Sequence, residues 1–252
     1  MVQTAFIIPC FDEAQRLEPE RFLEFASREQ AQLWMVDDGS TDGTGALLDD
    51  LARARPGWIR VLGLRQNAGK AEAVRRGLLA AMEDEEIAVV GYADADLGVP
   101  LDELLRLRDM LDRSGASIVM GARVALLGHD IKRHVIRHGL SRIFATAASL
   151  SLGMMVYDTQ CGAKLFRVSP AVRAALAERF ISRWAFDVEL IGRLVIGTPE
   201  APPVALEEII EEPLRSFRHV SGGRLGITGM LEAGRDMAYI HADLRRRRRR
   251  MR

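Results

Sequence analysis

The sequence predicts an α/β fold, a mostly parallel central sheet flanked by helices, and three observations predict it. Short apolar runs alternate with segments of helical composition through the first half of the chain, the pattern of consecutive βαβ units. Three polar segments, CFDEA at 10–14, DDGSTDGT at 37–44 and DADLG at 94–98, each follow an apolar run. Parallel strands carry ligands at their carboxyl ends, so the three segments converge on one edge. Finally, 252 residues with 48% hydrophobic and 28% charged side chains suffice for one sizeable folded domain.

The elements follow in order. Strand-like apolar runs occupy 4–9, 32–36, 58–64, 86–92 and 117–121. Helical composition with apolar spacing fills 19–30, 43–55, 70–84 and 101–113. The second half is less regular. Residues 132–152 predict a long helix, basic at its start, and 184–196 predict another. Pro199, Pro202 and Pro203 break the chain before a strand expected at 204–210. A terminal helix is expected from 225, which divides the chain into one domain over 1–225 and a C-terminal helix with an arginine tail over 226–252.

Basic and acidic side chains balance at 35 each. Arg245 to Arg250 are nevertheless six consecutive arginines with Arg252 just beyond, so the remainder is net acidic. The tail has three readings: contact with anionic lipid, a solvated disordered end, or nucleic-acid binding. No run approaches the ~20 apolar residues of a membrane span. The start, MVQTAFIIPC, lacks the basic region of a signal peptide. Cys10 and Cys161 are the only cysteines and lie far apart, so free thiols in a reducing cytoplasm are expected rather than a disulfide.

In DDGSTDGT, Gly39 and Gly43 permit a tight turn, and Ser40, Thr41 and Asp42 suit the cap of the next helix. A turn does not need both Asp37 and Asp38. A calcium loop fits poorly, because Asp49 stands where an EF-hand has Glu. No GxGxxG follows the first strand, which argues against a dinucleotide fold. NAGKAEA at 67–73 opens a helix. Its Gly69 and Lys70 suit an anion there, or an ordinary helix start. Asp94 and Asp96 share one face of an extended chain. Two carboxylates that close call for a cation. They are either solvated acids ahead of the helix at 101 or ligands of a hard divalent ion that also grips a diphosphate.

Taken in order, IIPCFDEAQRL, VDDGSTDGT, NAGKAEAVRRGL, YADADL, MGAR, DTQCGAKLFR and RWAFDVEL resemble the family-2 glycosyltransferases of GT-A fold, over residues 4 to 225. Within that family the chain resembles dolichyl-phosphate (polyprenyl-phosphate) glucose synthases first and dolichyl-phosphate mannose synthases next. The resemblance implies that Pro9, Phe11 and Glu13 meet the nucleoside, that Asp38 with Asp37 beside it contacts the base, and that Gly69 and Lys70 flank the nucleotide. It implies that Asp94 and Asp96 hold Mg2+ or Mn2+ and the diphosphate. It puts Arg123, Arg133 and Arg137 at phosphates, Asp158, Thr159 and Gln160 along the sugar, and Asp187 and Glu189 in a later acidic motif. Arg218 and Arg224 match a basic loop near the end. Two departures stand out. Gly98 occupies a position where mannose synthases often carry a metal-assisting Gln, and the QxxRW motif of polymer synthases is absent.

The reaction implied is inverting transfer of a hexose from a nucleotide sugar to a polyprenyl phosphate, with UDP-glucose the favoured donor and GDP-mannose the alternative. Asp96 and Arg123 are expected at the reacting phosphates. A phosphate acceptor is already anionic and needs positioning more than deprotonation. A hydroxyl acceptor, the main alternative, requires a base, and Asp187 is the candidate. The bland reading of Asp187 and Glu189 is a solvated helix face, with Trp184 and Phe186 interleaved. A non-catalytic nucleotide-sugar scaffold is the reading outside enzymes. The expected location is cytoplasmic, peripheral to the membrane through Arg245–Arg252, with a homodimer allowed for and no nucleic-acid partner.

Overall fold

In the computed structural model, which describes residues 3–124, 130–131, 135–218 and 227–251, the first half folds as the alternation predicts. Strands β1 (Gln3–Cys10), β2 (Gln32–Asp37), β3 (Ile59–Gly63) and β4 (Ile87–Ala93) alternate with helices α1 (Pro19–Ser27), α2 (Thr44–Ala54), α3 (Lys70–Ala81) and α4 (Leu101–Ser114). β5 (Ile118–Ala122), β6 (Asp130–Ile131), α5 (Val135–Leu152), β7 (Ala163–Arg167), α6 (Pro170–Ala177) and α7 (Phe186–Ile196) follow. The described chain ends with β8 (Ile209–Pro213), β9 (Ser216–Phe217) and α8 (Ile227–Arg250).

Seven strands form one sheet in the order β3-β2-β1-β4-β7-β5-β8, and β6 pairs separately with β9. β1, β2, β3 and β4 pair in parallel, as do β5 and β8, whereas β7 runs antiparallel between β4 and β5. The chain steps outward from β1 to β3, then returns to β4 on the other side of β1. That reversal opens a crevice beyond the carboxyl ends of β1 and β4, where such sheets bind ligands.

β1 shows why the sheet is buried on both faces. Ala5 and Ile7 join one core, which is covered by residues of α3, α5, α6, α7 and α8. Phe6 and Ile8 join the other, covered by α1, α2 and α4. Each fully buried Ile or Phe contributes about 2 kcal/mol, so the period-two alternation of the strand commits the helices to both sides.

The second half departs from the sequence expectations at β6, β7, α6, β8 and β9. β7 and α6 were not expected, because AKLFR carries two basic residues in five. Lys164 is nonetheless fully buried, and its ammonium is satisfied internally. The strand expected at 204–210 lies later: residues 206–208 form a 3-10 turn, and pairing with β5 starts at Ile118↔Ile209. Glu211 and Glu212 belong to that strand because both carboxylates have partners, in the amides of Tyr157 and Asp158 and in Arg106. The terminal helix does form, and Met237, Ile240 and Leu244 on α8 enter the same core as α5 and α7. A side chain at Gly192 of α7 would collide with Leu244.

Candidate active site

Side-chain to backbone bonds lace the loops beyond β1, β2 and β3 together. Asp12 N donates to Ser40 Oγ at 3.1 Å, Glu13 N to Thr44 Oγ1 at 2.8 Å, and Ala14 N to Asp42 Oδ2 at 3.1 Å. Thr41 N donates back to Asp12 Oδ1 at 2.9 Å. The hydroxyls and acid of STDGT therefore hold the neighbouring loop; on α2 the N-cap position itself is Gly43, which has no side-chain cap bond, while Asp42 Oδ1 accepts from the first helical amide, Thr44 N, at 3.0 Å. Asp37 accepts from Ser40 N at 2.9 Å and shapes the turn away from the cleft. Asp38 is buried and accepts from Ala68 N at 2.7 Å and Gly69 N at 2.8 Å, which fixes the chain entering α3. Burial raises the pKa of this carboxyl, and the two amides oppose the shift.

The acidic pair sits just beyond β4. Asp94 is ion-paired with Lys70 at the start of α3. Burial disfavours the Lys70 ammonium, but Asp94, Asp187 and Asp96 outweigh it and raise its pKa, so the side chain stays charged. The Asp94 carboxylate rests on Gly162, where any side chain would collide with it. Asp96 Oδ1 accepts from Gly98 N at 2.9 Å, and Leu97 between them is buried in the left-handed region at φ 52. A non-glycine residue there costs about 1 kcal/mol or more, strain of the kind that gathers at functional sites. Gly98 also has a steric reason. Its carbonyl accepts from Arg218 N at 2.8 Å, and a Cβ would lie 3.2 Å from Arg218 O.

These loops border a cleft of about 700 Å³. From the expected site residues it collects Pro9, Phe11, Glu13, Asp38, Gly69 and Lys70, together with Asp94 and Asp96. It adds residues that the sequence reading did not single out as ligands: Arg16, Asn67, Arg183 and, from α8, Glu232, Arg235 and Asp236. Ile181 and Trp184 line it as well, and both are exposed. Asn67 and Arg183 stood inside the quoted motifs NAGKAEA and RWAFDVEL. Nothing in the sequence of α8 indicated that it reaches the cleft.

Other expected residues are committed elsewhere. Asp187 is not on a solvated face: it is 5% exposed, and its Oδ1 accepts from Lys164 Nζ at 2.7 Å and from the Tyr92 hydroxyl. That oxygen is thus committed to an ammonium and a phenol, and Asp187 is not among the residues that line the cleft. Glu189 is buried too, paired with Arg193 at 2.6 Å, and accepts from Ile181 N at 2.8 Å. Burial raises its pKa, and Arg193 opposes the shift. Arg193 also donates to the carbonyls of Ala175, Glu178 and Arg179, so this pair anchors the segment between α6 and α7.

Arg123 grips Asp158 in a two-pronged ion pair, at 2.7 and 2.9 Å. Burial pushes the Asp158 carboxyl up, but Arg123 outweighs it and leaves the pKa below the ordinary value. Thr159 carries a buried hydroxyl with no hydrogen-bond partner among the described residues, and Gln160 follows it in a turn. Arg218 turns its side chain to Glu18. Arg137 is a position on α5, while Arg133 and Arg224 lie outside the described residues.

Among the described residues, no three His, Cys, Asp or Glu side chains group closely enough to hold a metal by themselves. Asp94 and Asp96 supply two hard oxygen donors at the cleft wall. That set suits a Mg2+- or Mn2+-like ion whose remaining ligands are phosphate oxygens and water.

The chain matches the family model described as Glycosyl transferase family 2 over residues 5–172. A dolichyl-phosphate beta-glucosyltransferase of Trichomonas vaginalis is 30% identical over 253 residues, covering 95% of this chain and 71% of that protein. One from Dictyostelium discoideum is 31% identical over 205 residues, covering 75% and 61%. A polyprenol monophosphomannose synthase of Mycolicibacterium smegmatis is 29% identical over 193 residues, covering 77% and 72%. Among solved structures, glucosyl-3-phosphoglycerate synthase from Mycobacterium tuberculosis, in complex with Mn2+, UDP and glucosyl-3-phosphoglycerate, aligns with a TM-score of 0.64 at 18% identity, covering 97% of this chain and 79% of that one. A mannosyltransferase from Pyrobaculum calidifontis, in complex with GDP-Man and Mn2+, aligns with a TM-score of 0.60 at 17% identity, covering 96% and 64%. At these identities the likeness is one of fold, and the fold is the GT-A type.

Proposed function

The chain belongs to glycosyl transferase family 2, and from that premise we propose that it transfers a hexose from a nucleoside-diphosphate sugar to the phosphate of a polyprenyl lipid, with UDP-glucose the favoured donor. The commitment of Asp187 to Lys164 and Tyr92 carries the choice of acceptor. A hydroxyl acceptor needs a base, and the carboxylate expected to serve is buried, lies outside the cleft lining and holds Lys164 and Tyr92 on one oxygen. A phosphate acceptor needs none. The names of the relatives, which act on dolichyl phosphate, support the same choice.

In this reaction an acceptor phosphate oxygen bonds to the anomeric carbon as the bond from that carbon to the donor diphosphate breaks. The electron pair leaves with the diphosphate, and no proton moves. A sugar-nucleotide dianion and a phosphate-monoester dianion become a phosphodiester monoanion and a nucleoside-diphosphate trianion. One unit of negative charge thus passes to the leaving group. Asp38 and the laced loops orient the nucleoside, and Lys70 keeps a cation beside Asp94. Asp94 and Asp96 would hold Mg2+ or Mn2+, which when bound supplies Lewis-acid neutralisation of the diphosphate.

A lipid acceptor brings the membrane into the reading. No helix among the described residues is long and apolar enough to cross one. The reading therefore has the chain rest on the anionic cytoplasmic face through Arg245, Arg246, Arg249 and Arg250, which are exposed on α8. Incubation with labelled UDP-glucose or GDP-mannose, with and without undecaprenyl phosphate, tests this. Label should enter the lipid phase from UDP-glucose in a divalent-cation-dependent way, and Asp96→Ala should abolish it. Label confined to a water-soluble product would refute the lipid acceptor.

A further inference from the structure

Four cations line the described part of the cleft: Arg16, Lys70, Arg183 and Arg235. Three have a carboxylate within ion-pair distance. Arg16 faces Glu13 at 3.4 Å, Lys70 faces Asp94, and Arg235 faces Asp236 at 3.8 Å. Arg183 has none among the described residues, and its side-chain hydrogen bond goes to the neutral amide oxygen of Asn67. Asp38 feels its positive charge. Both oxygens of that carboxylate, however, are held by backbone N–H groups.

Arg183 spans the cleft from the segment before α7 to the loop before α3. Its guanidinium lies over Gly69, where a Cβ would run into Nε. Gly69 also has φ 92, a conformation L side chains rarely adopt, so two demands fix glycine there. The next residue is Lys70, which carries the ion pair to Asp94. The arginine thus lines the same cleft as Asp94 and Asp96, one residue along from Lys70 through Gly69, with no carboxylate at ion-pair distance among the described residues.

Its segment is held in place. Buried Ser182 Oγ accepts from Trp184 N at 3.2 Å and Ala185 N at 2.8 Å, and donates to Asp236 on α8 at 2.7 Å. The buried Glu189–Arg193 pair fixes the residues just before it.

We propose that Arg183 binds the diphosphate of the donor and takes up the charge that collects on it as the sugar departs. This rests on the transfer reading above. When a phosphate arrives, Arg183 gives up one amide contact, whereas Lys70 would have to be shared with Asp94. A guanidinium fork also matches two phosphate oxygens at once. A cation placed in advance where charge develops stabilises the transition state more than the ground state. Arg183→Gln should therefore lower kcat as well as donor affinity.

The test uses the full chain with UDP, GDP and uridine as titrants in Mg2+ and Mn2+, alongside sugar transfer. Arg183→Gln should weaken the nucleoside diphosphate by about tenfold to a hundredfold and leave uridine binding unchanged. Arg183→Lys should recover part of both the affinity and kcat. The melting temperature of the ligand-free protein should not move, since Arg183 is exposed. Equal weakening of UDP and uridine would mean that the residue serves the base or the loop, and would overturn the proposal. Wild-type affinity and kcat in Arg183→Gln would overturn it alone. A wild-type chain that binds neither diphosphate sinks the transfer reading and this inference together.

Discussion

Lys164, Tyr92 and Asp187 show what a single buried contact decides. Lys164 and Tyr92 are fully buried, and the ammonium has two partners, Asp187 Oδ1 and the Cys161 carbonyl. Lys164→Met leaves the Asp187 charge buried without its counter-ion, which should cost about 3–5 kcal/mol in a urea unfolding series. Adding Asp187→Leu should recover much of that loss; a double variant as unstable as the single one would show that packing, not charge, was lost. Asp158 gives a pH-dependent case. Its folded pKa is depressed, so its stabilisation is present above the unfolded value of ~3.9 and is lost as pH falls through the folded pKa. Asp158→Asn should therefore be less stable at neutral pH and show a shallower acid-unfolding limb. RWAFDVEL marked Asp187 as chemically significant in the sequence. Its burial and its pairing with Lys164 and Tyr92 were not legible, because Lys164 sits in a stretch that reads as surface until β7 is inserted beside β4.

The helices and strands of the first half were legible because each is local: an apolar run, a polar turn, an amphipathic helix. β7 was not, since its two basic residues fit a buried strand only once it lies between β4 and β5, as in Val89↔Arg167, and β8 begins later than its apolar run because its pairing with β5 starts at Ile118↔Ile209. α8 was legible as a helix and its arginines as a charge run, but their division needed the helical phase. Arg247 pairs with Glu178 and Asp243. Arg248 donates to the carbonyls of Ser151 and Leu152 at the end of α5, where a cation suits the helix dipole. Arg245, Arg246, Arg249 and Arg250 point outward. Arg247→Ser with Arg248→Ser should lower the melting temperature and spare sedimentation with anionic vesicles. Changing the four outward arginines to Ser should do the reverse, at roughly 1 kcal/mol of vesicle affinity each. Cutting the chain at 225 removes Met237, Ile240 and Leu244, each contributing roughly 1.5–3 kcal/mol. That loss rivals the whole stability of a typical domain, so the shortened chain should not fold.

At the scale of the molecule, the part of the cleft built by the strand-end loops was legible and the rest was not. The loops expected to meet the nucleotide follow strand ends in sequence order, so their motifs mark that part of the cleft as they go by. The rest of the cleft comes from the segment before α7 and from α8, which meet those loops only after the sheet is assembled. The antiparallel β7 has a mechanical corollary. β4, which delivers Asp94, is hydrogen-bonded to β1 on one edge and to β7 on the other. The two halves of the chain therefore share one continuous sheet, with no seam on which they could swing apart as rigid lobes. Among the described residues a hinge between lobes is ruled out by that bonding, and movement over the cleft would fall to its rim: the residues around Arg183 and Trp184 and the turns of α8 that carry Glu232 to Asp236.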